Sequence, residues 1–174
     1  MNKRFLNKTV IVTGSGSGIG ETTAMKFAEE GANVVIAELN DISGTEVSKQ
    51  INKQGGNSIF IKTDVSQFES VNKMANQTVK QFGSLDILIN NAGINVFAEP
   101  LKMSENEWKR AFSVDLDGVW FGCKAALPFM LNQKKGSIVN VASVHGIQII
   151  PNCFPYPVAK HGVIGLTKAL AVDY

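Results

Sequence analysis

Short runs rich in Val, Ile and Leu alternate with longer helical stretches along this 174-residue chain. Such alternation predicts parallel strands that are joined by crossover helices. The strand candidates cover 9–13, 33–38, 58–62, 85–90 and 137–142. Because the apolar residues in these runs are nearly continuous, both faces of each strand should be covered by helices. The sequence therefore predicts an α/β fold with a doubly wound parallel sheet.

Capping residues mark where the helices of this sheet begin and end. A Ser followed three residues later by a Glu can form a capping box at a helix N-terminus. Such pairs are Ser43 with Glu46, Ser66 with Glu69, and Ser104 with Glu107. Gly31 and Gly83 follow helical stretches and supply the left-handed residue that a helix C-terminus favours. Right-handed crossovers then predict the strand order 3-2-1-4-5, with ligands beyond the carboxyl ends of the strands.

The composition excludes several classes of protein. Hydrophobic residues make up 44% and charged residues 18% of the chain, which does not suggest disorder. A net charge of +2 without a basic stripe argues against a nucleic-acid partner. No run reaches the roughly 18 apolar residues of a membrane span, and no signal peptide is visible, so we expect a cytoplasmic protein. Cys123 and Cys153 lack metal-ligand spacing, so we expect free thiols and no metal site.

The turn between the first predicted strand and the next helix is rich in glycine and reads Thr-Gly-Ser-Gly-Ser-Gly-Ile-Gly. It is a variant of the G-x-G-x-x-G spacing in which Gly14, Gly18 and Gly20 are the key positions. Glycines let the backbone approach a pyrophosphate, whose charge is stabilised by the free N–H groups at the helix N-terminus. An ordinary glycine-rich loop is the alternative. The strand before and the helix after favour a dinucleotide site that also includes Ser17 and Ile19.

Glu38 stands at the end of the second predicted strand, twenty residues after Gly18. At this place a carboxylate can accept hydrogen bonds from the adenosine ribose hydroxyls, and it would repel a 2′-phosphate. No Arg or Lys accompanies it in 37–40, and position 17 in the turn is the neutral Ser17. These residues predict NAD rather than NADP as the cofactor. A solvated acid at a strand end is the alternative interpretation.

Four further short motifs follow in chain order. They are Asp64-Val65, then Asn-Asn-Ala-Gly at 90–93, Asn-Val-Ala-Ser at 140–143, and Tyr-Pro-Val-Ala-Lys at 156–160. Together with the glycine turn, they resemble the motifs of the short-chain dehydrogenase/reductase family over about residues 9–174. The resemblance implies a Rossmann-like fold and an enzyme that transfers hydride between NAD and a secondary alcohol or ketone. It further implies that Asp64, Val65, Asn91, Ala92 and Gly93 contact the cofactor.

The resemblance also assigns catalytic roles. Tyr156 would take the proton from the alcohol, Ser143 would position the substrate oxygen, and Lys160 would hold the nicotinamide ribose. Tyr156 and Lys160 are four residues apart and so share one face of a helix, where the ammonium can favour the ionised phenol; an amphipathic helix face is the alternative interpretation. His145 and Cys153 flank the expected pocket, as substrate contacts or as lining residues.

One position departs from the family pattern. The family carries Asn in a Val-Asn-Leu context after the fourth strand, whereas this chain reads Val-Asp-Leu-Asp-Gly at 114–118. Asp115 thus takes the place of an Asn that, by resemblance, anchors a water in the proton relay. If that role depends on the main-chain carbonyl, Asp115 preserves it; if it depends on the side-chain amide, the relay is altered. We favour the main-chain role.

The rival hypothesis is a nucleotide-binding fragment or regulatory relative without turnover, although such a module would not need Ser143, Tyr156 and Lys160. The chain ends at 171–174, whereas the family continues into two further strands and a segment that covers the substrate. We therefore expect one domain over 1–174 that lacks its C-terminal strands, belongs to a longer gene product and is not a competent catalyst alone. By resemblance, we also expect a homodimer or homotetramer formed through the helices at 104–132 and 156–174.

Overall fold

The computed structural model describes residues 3–174, which form a five-stranded sheet with helices on both faces. The strands and helices alternate along the chain as β1 (Thr9–Thr13), α1 (Gly18–Glu29), β2 (Asn33–Glu38), α2 (Asp41–Lys53), β3 (Asn57–Lys62), α3 (Phe68–Phe82), β4 (Ile87–Asn90), α4 (Glu105–Phe112), α5 (Gly118–Gln133), β5 (Ser137–Asn140) and α6 (Tyr156–Asp173). A π-helical turn, Ser113–Asp117, joins α4 to α5, and a 3-10 turn, Val144–Gly146, follows β5.

All neighbouring strands of the sheet are parallel, and their order is β3-β2-β1-β4-β5, which confirms the predicted topology. β1 lies at the centre, where Val12 is in register with Ile36 of β2 and with Ile89 of β4. Since every strand runs in the same direction, their carboxyl ends meet at one edge of the sheet. That edge is where a doubly wound sheet places its ligands.

The first two strands have the predicted bounds, and the others differ at one end. β4 begins two residues later than predicted, because the main-chain N–H and carbonyl of Leu85 pair with the Gln133 side chain at 3.1 and 3.0 Å. β5 ends at Asn140 rather than at residue 142, because its neighbour β4 already ends at Asn90. The main-chain N–H of Val141 makes the last bond to that strand, at 2.9 Å.

Two hydrophobic layers cover the sheet, one on each face. Ile11, Val35 and Leu88 point to the face that α3 and α5 cover. Val12 and Ile36 point to the opposite face, against α1 and α2. Each fully buried Val, Leu or Ile side chain contributes roughly 1.5–3 kcal/mol to folding. Burial on both faces confirms the prediction for the three inner strands, whereas the edge strands β3 and β5 are only partly covered, with Val139 of β5 47% exposed. The polar carboxyl edge remains available for binding.

Only the last of the three predicted capping boxes is present in the described residues. Ser104 accepts a hydrogen bond from the Glu107 N–H at 3.2 Å, and the Glu107 carboxylate accepts one from the Ser104 N–H at 2.8 Å. The box predicted at Ser43 is wrong, because Asn40 caps α2 first. Its side-chain oxygen accepts from the N–H groups of Ile42 and Ser43, which places Ser43 inside the first turn.

The box predicted at Ser66 is wrong as well. α3 begins at Phe68, and Ser66 lies two residues before it. The Ser66 hydroxyl instead donates to the Asp64 carboxylate at 2.7 Å, which accepts the Ser66 main-chain N–H too. Both predicted helix stops are confirmed, since Gly31 and Gly83 have φ values of 92° and 79°. No helix within residues 3–174 is long and apolar enough to cross a membrane.

Candidate active site

A groove of about 620 Å³ crosses the carboxyl edge of the sheet at the ends of the first four strands. The structure brings eleven of the predicted cofactor residues together in its lining, namely Gly14, Ser17, Gly18, Ile19, Gly20, Glu38, Asp64, Val65, Asn91, Ala92 and Gly93. Five further residues that the sequence did not indicate complete it: Leu39, Thr63, Ile94, Asn95 and Val114. Tyr156 and Lys160 are not part of this lining.

The glycine turn at one end of the groove depends on two close backbone approaches. Gly14 has a φ of 62°, and a Cβ atom there would lie 2.8 Å from the Cα of Ala92. A Cβ atom on Gly20 would overlap the carbonyl oxygen of Gly14. The following helix α1 begins without a side-chain cap from Ser17. The first N–H groups of α1 are therefore available to an anion in the groove.

Thr13 and Asn91 join the ends of β1 and β4 under the groove. The Thr13 hydroxyl oxygen accepts hydrogen bonds from the main-chain N–H groups of Asn91 and Ala92, at 3.0 and 3.1 Å. The Asn91 side-chain amide donates to the carbonyl oxygens of Thr13 and Gly14, at 3.0 and 3.2 Å. Asn91 thus fixes the shape of the turn. Thr13 is the first residue of the glycine motif, but the motif alone does not indicate this role, which depends on the pairing of two distant strands.

Glu38 is held by main-chain N–H groups at the far end of the groove. One carboxylate oxygen accepts from Gly16 at 3.0 Å, and the other accepts from Leu39 and Asn40 at 2.8 and 3.1 Å. Lys62 is in register with Glu38 on the neighbouring strand, and its ammonium pairs with Asp41. No cation neighbours Glu38 in the sequence, and only the sheet register brings Lys62 beside it.

Tyr156 and Lys160 lie on the first turns of α6, beyond the end of β5. The Lys160 ammonium nitrogen is 5.4 Å from the centre of the Tyr156 ring and donates to the carbonyl of Val141 at 3.2 Å. Lys160 is only 3% exposed, whereas Tyr156 is half-buried. Burial lowers the pKa of Lys160, and the negative charge of Asp115 opposes that shift. The pair therefore places a buried cation beside an accessible phenol.

His145 contacts the same tyrosine, and Ser143 stands two residues before His145, just after β5. Ser143 precedes the 3-10 turn, and its hydroxyl oxygen accepts from the His145 main-chain N–H at 3.2 Å. The His145 ring packs edge-on against Tyr156, with the ring centres 6.1 Å apart. Phe97 makes a similar contact on Tyr156, also at 6.1 Å. The sequence did not indicate Phe97, which a β-bridge to Pro155 brings to the site.

Cys153 lies apart from this cluster. It is buried, and its thiol donates to the carbonyl of Pro151 at 3.6 Å. It lines a separate crevice together with Phe97, Ile149 and Val158. The structure thus brings His145 to Tyr156, whereas Cys153 lines a different crevice.

Asp115 lies in the π-helical turn between α4 and α5 and is only 1% exposed. One carboxylate oxygen, Oδ1, accepts from the main-chain N–H of Ile94 at 2.9 Å. The other oxygen, Oδ2, is buried without a hydrogen-bond partner in the described structure. Burial raises the pKa of Asp115, although the Ile94 N–H and the charge of Lys160 act in the opposite direction. The side chain thus takes part in the architecture of the site.

Comparisons with known proteins agree with this geometry. A family profile described as short chain dehydrogenase matches residues 8–174. The chain is 41% identical to a meso-2,3-butanediol dehydrogenase of Serratia marcescens over 98% of this chain and 67% of that protein. It is 38% identical to glucose 1-dehydrogenase 2 of Bacillus subtilis over 100% of this chain and 69% of that protein.

A crystal structure assigned as a short-chain alcohol dehydrogenase from Sinorhizobium meliloti 1021 superposes with a TM-score of 0.94 at 31% identity. It matches 99% of this chain, which covers 69% of the crystallised protein. The chain thus spans about two thirds of the length of the proteins it resembles, with a share as low as 65% for a short chain dehydrogenase/reductase of Aspergillus oryzae.

Proposed function

Because the chain belongs to the short-chain dehydrogenase family, we propose that it is an oxidoreductase that transfers a hydride between NAD(H) and a secondary alcohol or ketone. The observation that carries this proposal is the convergence of Ser143, Tyr156 and Lys160 at the carboxyl edge of the sheet, where the dinucleotide groove also lies. A binding module needs the groove and has no use for this cluster. One domain over residues 1–174 would supply both.

The residues of the groove fit a dinucleotide. Gly14 and Gly20 lie where a side chain would collide with backbone atoms, so the turn can stay tight beside the ligand. The uncapped start of α1 can bind a pyrophosphate. Glu38 would hold the adenosine ribose, and Asp64 and Val65 would contact the adenine. When bound, the nicotinamide ring supplies the hydride acceptor. Lys160 would hold the nicotinamide ribose on the side of the groove that faces Tyr156.

Three side chains would handle the substrate oxygen. During alcohol oxidation the carbinol carbon loses a hydride, and its hydroxyl proton passes to the ionised oxygen of Tyr156, so that the C–O bond becomes a carbonyl. The Lys160 ammonium, 5.4 Å from the Tyr156 ring, stabilises that negative oxygen. Ser143 accepts from the His145 N–H, which leaves its own hydroxyl proton free to bind the substrate oxygen.

Glu38 supports NAD as the cofactor. Three main-chain N–H groups hold its carboxylate in place, so a 2′-phosphate at this position would meet a fixed negative charge. Lys62 is the nearest cation by sheet register, and its charge is already balanced by Asp41. The nucleotide site therefore favours a free ribose hydroxyl.

The size of the substrate and the oligomeric state of the protein are also open to a proposal from the relatives and the surface. The relatives named above carry the names of a diol dehydrogenase and a sugar dehydrogenase, and we propose a small or medium secondary alcohol here. We also propose a homodimer or homotetramer. Trp108 on α4 and Trp120 on α5 are 37% and 43% exposed, and aromatic residues on a surface support such an interface.

The test is the absorbance of reduced nicotinamide when the full-length protein is mixed with NAD and a panel of secondary alcohols. Turnover that disappears in Tyr156→Phe and persists in Tyr174→Phe, which removes the same hydroxyl from the other tyrosine of the sequence, supports the proposal. Tight NAD binding without turnover of any alcohol or ketone in either direction would favour a binding module instead.

A further inference from the structure

We propose that Asp115 is the buried counter-charge that keeps Lys160 protonated, acting across a gap beside Gly93. Asp115 is then a positioning residue in this chain, because it acts on the substrate only through Lys160. The inference rests on the proposed function for its catalytic meaning, and on the structure alone for the coupling of the two charges.

The first observation is that only one of the two Asp115 carboxylate oxygens has a hydrogen-bond donor. Only Oδ1 has a donor, the Ile94 N–H, while Oδ2 is buried and unpartnered. The π-helical turn widens the helix at this point, and such turns are frequent at functional sites. A carboxylate that is 1% exposed needs an opposite charge or further donors to remain ionised.

The second observation is that the Lys160 ammonium has fewer hydrogen-bond acceptors than protons to donate. An ammonium has three protons to donate, and the structure gives one acceptor for them, the carbonyl of Val141. Among residues 3–174, no carboxylate lies within ion-pair distance of this nitrogen. A buried cation with spare donors thus lies in the same part of the site as a buried anion with a spare acceptor.

Gly93 lies beside both groups and leaves open a space that a side chain would fill. A Cβ atom on Gly93 would lie 3.0 Å from Asp115 Oδ1 and 3.7 Å from the Lys160 nitrogen. Because glycine has no side chain, this volume stays open between the charges. Both charged atoms lie within 3.7 Å of this one position, and unit charges that close to a common point interact appreciably where burial reduces the local dielectric constant. An amide at position 115 would keep the shape and lose this interaction.

No other charge on the neighbouring elements can take the place of Asp115. The elements that pack against its turn are α4, α5 and α6. On α4, the charged residues Glu105, Glu107, Lys109 and Arg110 are all exposed, with Glu105 paired to Lys109 and Glu107 bonded to Ser104. On α5, Lys124 stacks on the Phe68 and Trp120 rings, while Cys123 binds Asn140. On α6, the titratable groups besides Lys160 are Tyr156, His161, Lys168 and Asp173. The His161 ring is bonded to the Pro157 carbonyl, and Lys168 and Asp173 are exposed.

The direction of the effect follows from the two charges. Burial lowers the pKa of Lys160, and the Asp115 charge raises it back toward the ordinary range. Removing that charge lets the ammonium lose its proton at a lower pH. The cation beside Tyr156 would then be lost within the alkaline range where the proposed oxidation of alcohols needs it.

A double-mutant cycle on the stability of the full-length protein tests the coupling without any turnover. Asp115→Asn, Lys160→Met and the double variant are unfolded in urea at mildly alkaline pH. We expect the double variant to lose less stability than the two single losses added together, with a coupling of about tenfold in the unfolding equilibrium constant. The coupling should vanish at low pH, where Asp115 takes up a proton. Additive losses would overturn the inference.

Asp117→Asn is the matched control, since Asp117 carries the same charge in the same turn and is exposed. The stability losses of Asp117→Asn and Lys160→Met should simply add in the double variant. If Asp117 coupled to Lys160 as strongly as Asp115 does, Asp115 would not be a specific counter-charge.

In the activity assay, the alkaline limb of the plot of kcat against pH should move to a pH about one unit lower in Asp115→Asn. It should stay in place in Asp117→Asn. An unmoved limb in both variants would overturn the inference. If the parent oxidises no alcohol at all, the proposed function fails, and the stability cycle still decides whether the two charges are coupled.

Discussion

The carboxylate of Glu38 accepts a hydrogen bond from the main-chain N–H of Gly16 at 3.0 Å, which ties the end of β2 to the glycine turn. The two features that the sequence offers for cofactor binding are therefore one rigid unit. A Cβ atom on Gly16 would lie 2.7 Å from the Cγ of Glu38, so the close approach depends on the glycine. An acid fixed in this way cannot swing away from an added phosphate without breaking bonds to the turn.

We expect NAD to bind at least tenfold more tightly than NADP, because a 2′-phosphate would lie beside this fixed carboxylate. Glu38→Ala combined with Leu39→Arg should narrow the preference by removing the anion and adding a cation. Direct titration of both cofactors measures this. Lys62→Met is the control for the nearby cation, and it should change the ratio little because Lys62 is paired with Asp41. Equal affinities in the parent would contradict the assignment.

The fold could be predicted from the sequence because its signals are local. The strands are continuous apolar runs, and Gly31 and Gly83 mark helix ends through their own backbone conformation. Strand order then follows from the handedness of crossovers. The errors arose where a local signal had a competitor nearby, as when Asn40 capped α2 ahead of Ser43.

Those parts of the site that depend on sheet register or on burial could not be predicted. Lys62 comes to Glu38 only through the pairing of β2 with β3, and Phe97 reaches Tyr156 through a bridge to Pro155. The sequence singled out Asp115 as a departure from the family pattern. It could not show that one of its oxygens is buried without a partner.

Gly20→Ala tests the close packing of the glycine turn. Its methyl group would overlap the carbonyl oxygen of Gly14, so we expect the free energy of unfolding to fall by at least about 2 kcal/mol. Gly165→Ala is the matched control, because Gly165 lies exposed within α6 with open space where its Cβ would be. That variant should gain about 0.5–1 kcal/mol. Urea unfolding of the two variants measures both effects, and a loss in Gly165→Ala equal to that in Gly20→Ala would refute the explanation.

Asp86 should contribute stability that is lost in acid. Burial by itself would raise the pKa of Asp86, but the Thr9 N–H, the Ser84 hydroxyl and Lys8 together lower it below its ordinary value. A lowered pKa means that the stabilising contribution is complete above the ordinary carboxylate range and disappears as the pH falls through the native value.

Asp86→Asn should therefore cost about 1–3 kcal/mol at neutral pH, and the gap from the parent should close in acid. Unfolding free energies measured across the acid range check this, with the exposed Asp173→Asn as the control. A gap that stayed constant down to the acid limit would indicate a packing effect instead.

Tyr156→Phe should abolish turnover and leave NAD binding nearly unchanged, since it removes the proton acceptor and little of the nucleotide site. Lys160→Ala should reduce both, because the proposed role of Lys160 includes the nicotinamide ribose. Single-turnover kinetics and cofactor titration of the full-length variants separate the two effects. More than a tenth of the parent kcat in Tyr156→Phe would move the proton-transfer role to another residue.

Asp115→Asn should change kcat by less than tenfold when it is measured at the parent's optimal pH. The Asn carbonyl oxygen can still accept the Ile94 N–H, and the main-chain carbonyl of residue 115 is unaltered, so the shape of the π-helical turn is kept. Asp115→Ala is the matched comparison, because it leaves the Ile94 N–H without its acceptor, and it should lower kcat further. A hundredfold gain in Asp115→Asn would mean that the native carboxylate impairs proton transfer. A loss as large as that of Asp115→Ala would mean that the charge is required even at the optimal pH, which the main-chain role does not allow.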